Sequence, residues 1–242
     1  MTYINRRMMV QGTAVLGLGL ATGTLLTAPK ASAADAVASA SPAGAMDAAA
    51  KERPVSLNGW TSEEQADDVS TVWTRPVPGT GLTVATRIGD VEAVLIHLLR
   101  RHHYEIDELR RGDVTGWQHP SGFDPSTPGS NLASGTAVRI RPGHYPAGTA
   151  GGWFPDQLTV LRDILAELEG VVRWSGDDKR PDESLFSIDV APSSPRLPRL
   201  AAKLRGMREH PGRAAGAPAD PHAAHRRKAA EALAGQQRAT VR

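Results

Sequence analysis

Ser130-Asn131-Leu132-Ala133-Ser134-Gly135-Thr136-Ala137-Val138-Arg139 is the stretch that decides how this chain is read. Thr136 to Ile140, at its end, is expected to form a strand. Upstream, Gly81 to Ile88 alternates in character and reads as another strand. Asp90 then offers an N-cap to an amphipathic helix carrying Val91, Val94, Leu95, Leu98 and Leu99. Downstream, Pro155 to Glu169 places Leu158, Leu161, Ile164, Leu165 and Leu168 on one helical face, and Gly170 supplies the stop. Val171 to Trp174 and Leu185 to Val190 are short β-type runs around a polar turn, an antiparallel hairpin signal that brings Asp182 near Trp174. A last helix is expected from Ser194, with Pro195 at its first position, through Leu200, Leu204 and Met207. The fold class is α+β, a small antiparallel sheet packed with helices.

The quoted stretch resembles the pattern S-x-H-x-x-G-x-A-x-D of the zinc D-alanyl-D-alanine carboxypeptidases (VanX/VanY-like). Ser130, Gly135 and Ala137 stand at its fixed positions. The resemblance continues at Trp174-Ser175-Gly176-Asp177, beside the family's W-G-G-D, and at Asp182-Glu183-Ser184-Leu185, beside its acid-x-x-His ending. Pro142-Gly143-His144-Tyr145-Pro146 and Phe154-Pro155-Asp156-Gln157 also read like the bacterial branch, so the likeness runs from about Ser126 to Asp189. It implies a Hedgehog/D,D-peptidase-like fold for one domain over residues 54–207.

The family's three zinc ligands, however, fall on Leu132, Arg139 and Leu185, none of which donates an electron pair to a cation. Asp182 matches the general base but has no metal to serve. No catalytic residue, metal or cofactor is therefore expected. The resemblance implies a pseudopeptidase, a non-catalytic module for cell-wall peptide or protein, with Arg139, Asp182, Trp174 and Ser130 as ligand-binding candidates. Arg139 has two readings: it fills the vacated space by pairing with Asp182, or it receives the carboxylate of a peptide terminus. The family's upstream substrate-binding arginine has no counterpart around Gly116-Trp117-Gln118-His119, although Arg110 and Arg111 lie close in sequence. Two alternatives stay open. One is a cell-wall peptidase with an unrecognised ligand set, and the other is a structural or interaction protein whose cleft has collapsed around Leu132 and Leu185.

Other chemistries find little support. His102 and His103 are adjacent on a helix and point apart, His144 reads as a surface-loop residue, and His222 with His225 lacks a third ligand. Asp177, Asp178, Asp182 and Glu183 read as a solvated acidic loop in preference to a glycosidase pair. No G-x-S-x-G, S-x-x-K or H-E-x-x-H occurs.

Residues 1–33 read as a twin-arginine-type signal peptide, with Arg6-Arg7, an uncharged run from Gly12 to Leu26, and cleavage after Ala33 in Ala31-Ser32-Ala33. Residues 34–53 read as a flexible linker and 208–242 as a basic tail, disordered or transiently helical. These features point to a secreted or wall-associated protein with no stable membrane span after cleavage. With no cysteine, stability must come from an apolar core. A net charge of only +2 and 5% aromatic residues argue against nucleic acid and leave peptidoglycan peptide or wall polymer as the expected partner.

Overall fold

A computed structural model describes residues 53–210 and 220–240; the expected signal peptide and nearly all of the expected linker lie outside the described residues. The strands are β1 (Val72–Val77), β2 (Leu82–Arg87), β3 (Val114–Thr115), β4 (Ala137–Ile140), β5 (Val172–Trp174) and β6 (Leu185–Ile188). The α-helices are α1 (Asp90–Glu105), α2 (Pro155–Glu167), α3 (Arg196–Glu209) and α4 (Ala224–Ala239). β1 and β2 form a separate antiparallel hairpin, and the other four make an antiparallel sheet in the order β3-β4-β6-β5. The α+β class follows directly from this mixture.

Register determines what each face of the four-stranded sheet does. Val138 and Ile140 of β4, Phe186 and Ile188 of β6, and Val172 and Trp174 of β5 join the main core with α1, α2 and α3. Their alternate neighbours Ala137, Arg139, Leu185, Ser187 and Arg173 necessarily point to the other face. The expected β5–β6 hairpin is present, with Val172 opposite Ile188 and Trp174 opposite Phe186. Leu95, Leu98 and Leu99 are fully buried, and even the polar His97, Arg101 and His102 of α1 are buried, so this helix is covered on most sides. Truncating one of these leucines to alanine costs roughly 2–5 kcal/mol, depending on how far the cavity collapses.

Several local expectations are corrected. Asp90 is not the N-cap of α1: Gly89 takes that place with φ 92° and no side-chain cap, and Asp90 sits in the first turn where the helix dipole favours its charge. Strand β1 had no sequence expectation at all, because its middle residues are exposed and Pro76 interrupts it; both features are tolerated in a two-stranded ribbon. α2 stops at Glu167, with Glu169 and Gly170 both in the left-handed region.

The basic tail differs most from expectation. Residues 224–239 form α4, which packs against α2 and buries Ala230, Ala234 and Gln237. It is held at both ends by charge-assisted hydrogen bonds. Near its start, Arg226 donates to both oxygens of buried Asp163, at 2.6 and 2.5 Å. At its end, the buried Arg173 guanidinium donates to the Gln237 carbonyl at 3.1 Å and the Thr240 hydroxyl at 3.2 Å, a cation placed where the helix dipole is negative. Gln237 in turn donates to the Val172 carbonyl on the edge strand β5.

Candidate functional site

Four of the residues singled out by the motif, Leu132, Arg139, Asp182 and Leu185, meet at the sheet face that looks away from the main core, whereas Trp174 lies in that core. Arg139 of β4 lies directly opposite Leu185 of β6. A 3-10 turn over Pro128–Leu132 delivers Leu132, which forms a small buried cluster with Ala137 and Leu185, covered by Phe123. Leu132 and Leu185 are 0% and 1% exposed, so these two positions are packed against hydrocarbon.

Arg139 turns its guanidinium to Asp182. Its Nε and Nη2 both donate to Asp182 Oδ2, at 3.2 and 3.0 Å. The second carboxylate oxygen accepts from the Ser184 amide at 3.2 Å and from its hydroxyl at 2.6 Å. Both carboxylate oxygens of Asp182 are therefore engaged within the protein. The Arg139 side chain keeps 22% of its surface exposed to solvent. Leu132, Leu185 and the paired cation Arg139, at the positions the resemblance aligned with zinc ligands, do not fit a zinc ion. Among the described residues, no group of three or more His, Asp or Glu is arranged to hold a metal.

Two of the four ligand candidates belong to the framework. Ser130 is buried, and its hydroxyl donates to the Thr127 carbonyl at 2.7 Å and accepts from the Leu57 amide at 3.0 Å. Trp174 is 3% exposed; its indole donates to the Glu183 carbonyl at 2.8 Å and its ring lies edge-on to Trp153. Neither side chain can line an open cleft. Trp117 is likewise structural, with its indole shared between the Ala133 and Glu63 carbonyls.

The motif also rests on residues that had no functional signal in the sequence. Ser56 and Asn58 bind from below it: Ser56 Oγ bonds to Asn58 Oδ1 and Ser134 Oγ, and Asn58 Nδ2 donates to Thr136 Oγ1 at 2.8 Å. Gly135 has φ 68°, and a Cβ there would lie 2.6 Å from Val72 Cγ2 and 2.7 Å from the Arg87 amide nitrogen, so only glycine lets β2 approach this closely. Gly116 is equally confined, a Cβ meeting the Ala85 carbonyl oxygen at 2.1 Å.

The acidic loop after β5 is not the solvated turn expected of it. Asp177 pairs with Arg162, Asp178 with Arg173 and Asp182 with Arg139, while Glu183 accepts the Gly151 and Gly152 amides at 2.7 and 2.8 Å. Each acid has its own partner, so no two of them form an acid–base couple. Among the histidines, His102 is buried edge-on to Trp153, and burial together with the nearby Arg141 charge pushes its pKa down to about 4, which keeps it neutral. His103 Nδ1 accepts from the Leu109 amide, and His144, His222 and His225 are exposed. Arg110 and Arg111 are exposed as well. No helix among the described residues is long and apolar enough to cross a membrane. Comparison with family models, with curated proteins and with solved structures returned no match to this chain.

Proposed function

We propose that the protein is an exported, non-catalytic module with a degenerate D,D-carboxypeptidase-like fold, in which the metal pocket has been refilled by side chains. The observation that carries this reading is spatial convergence. Leu132, Arg139, Asp182 and Leu185 are spread over more than fifty residues of sequence, yet they meet on one patch of one sheet face. Unrelated residues matched by chance to a motif have no reason to assemble around a single point. The refilled pocket replaces a cation with hydrocarbon and an internal ion pair, which removes the water-activating step of a zinc peptidase.

On this reading the accessible part of Arg139 receives the terminal carboxylate of a cell-wall peptide, with Asp182 fixing the plane of the guanidinium. The test is calorimetric titration of the full chain with acetyl-Lys-D-Ala-D-Ala and its C-terminal amide. Binding of the acid alone, abolished in Arg139→Ala, is expected; equal binding of both peptides refutes the assignment. Native purification with zinc analysis accompanies it, and near-stoichiometric zinc would return the protein to the peptidases.

The Phe123 cover over Leu132 and Leu185 favours a second reading, an interaction protein whose cleft is closed for good. In that case neither peptide binds, and Arg139→Ala changes stability alone.

A further inference from the structure

We propose that the groove between α2 and α4 is a docking site for a short extended peptide segment carrying two acidic side chains four residues apart, hence on one face of the segment. The groove encloses about 420 Å³. Leu158 of α2 and Ala230 and Ala234 of α4 give it an apolar lining, and Arg227, Glu231 and Arg238 of α4 border it. It uses none of the residues around Arg139 and stands whether or not the preceding assignment does.

The charge pattern selects the occupant. Arg162 also lines the groove, but it is neutralised by a two-pronged pair with Asp177 and lies 4.8 Å above the Trp174 ring, so it acts as a fixed wall. Arg227 and Arg238 are exposed and, among the described residues, form no ion pair. They are eleven residues apart on one helix, about 16 Å at 1.5 Å per residue. An extended peptide covers that distance in about five residues. Glu231 stands between them, one turn beyond Arg227, and repels negative charge in the middle of the groove. A continuous polyanion such as a polyphosphate is disfavoured by that acid. A peptide with acids at its ends and an apolar or basic centre meets a cation at each end, hydrocarbon along the floor and Glu231 opposite its centre.

The test is calorimetric titration of the full chain with the acetylated, amidated pentapeptide Asp-Ala-Lys-Ala-Asp, whose first, third and fifth side chains share one face when extended, and with polyphosphate of similar length. Saturable peptide binding is expected, weakened about fivefold by Arg227→Ser and again by Arg238→Ser, since each removes one solvent-screened ion pair. Both arginines are exposed, and an unchanged far-ultraviolet dichroism spectrum confirms that the variants stay folded. Glu231→Gln is expected to raise the affinity for polyphosphate while weakening that for the lysine-centred peptide. Absence of saturable peptide binding, indifference to both arginine variants, or polyphosphate binding tighter than peptide in the parent chain would each overturn the proposal. Arg139→Ala leaves the expected binding intact, which separates this site from the other.

Discussion

Placing metal ligands at Leu132, Arg139 and Leu185 is the sharpest test of the proposal that these positions correspond to a metal site. The triple substitution Leu132→His, Arg139→Asp, Leu185→His would put two imidazoles and a carboxylate where the side chains already meet, with Asp182 beside them. Without metal the exchange is costly. Each leucine is fully buried, and replacing it by a polar ring without a partner removes about 2–4 kcal/mol. Arg139→Asp further sets two carboxylates against each other. The sum consumes most of a domain stability of roughly 5–15 kcal/mol.

Zinc offsets part of these penalties, because it would satisfy both imidazoles and screen the two acids from each other. At a free concentration about a thousandfold above its dissociation constant, it returns about 4 kcal/mol. For a domain of this length, that corresponds to a rise of roughly 8–16 °C in melting temperature. The assay is differential scanning fluorimetry of the triple variant and the parent, with zinc and with chelator. The parent is expected to be indifferent to zinc. A triple variant that folds without any zinc-dependent shift, or that zinc cannot fold, refutes the argument that these positions superimpose on a metal site.

The remaining predictions concern the framework. His102 is held neutral down to about pH 4, whereas in the unfolded chain it protonates near the ordinary histidine value of 6.5. The unfolded state thus binds the extra proton first, and stability falls as pH drops from 6.5 toward 4, by up to about 3 kcal/mol, then levels off. Urea melts across that window should show this slope, and His102→Phe should remove it. Glu167 gives a separate loss at lower pH: burial raises its pKa, but the His97 hydrogen bond and the Arg101 charge outweigh that and hold it at about 2, so its contribution disappears between about 4.5 and 2. Gly135→Ala should cost more than about 2 kcal/mol in a urea melt, since it combines a left-handed backbone with a 2.7 Å approach to the Arg87 backbone nitrogen. Arg226→Ala should lower hydrogen-exchange protection across α4 about tenfold while leaving α1 unchanged, because Asp163 keeps Arg101 at 3.1 Å.

The parts of the fold that were legible in the sequence are those in which large apolar residues recur with a clear period. β2, α1, α2 and the β5–β6 hairpin are of this kind, and the convergence of Asp182 on the start of that hairpin follows from its turn. α4 carries almost no such residues. Its buried positions are Ala230, Ala234 and Gln237, and its attachment comes from Arg226 and from Arg173 on a distant strand. A helix fixed by small side chains and by ion pairs to remote residues has the composition of a solvated tail, so composition alone cannot tell the two apart.

The acidic loop shows the same blindness and explains what the candidate site has become. Asp177, Asp178 and Asp182 read as a solvated run because their arginines lie 15, 5 and 43 residues away in sequence. Once paired, the three acids bind the loop to α2, β5 and β4. Arg139 belongs to that series as much as to the motif: it is the third arginine clamping the same loop. Removing it therefore does two things, exposing an unpaired, nearly buried carboxylate and deleting a possible ligand contact. Arg139→Lys separates them. The ammonium keeps the charge opposite Asp182 and so retains the clamp, but it loses the planar fork that would grip a peptide carboxylate. A clamp alone predicts near-parental stability and no other change in Arg139→Lys. A carboxylate receiver predicts near-parental stability with lost discrimination between acetyl-Lys-D-Ala-D-Ala and its amide.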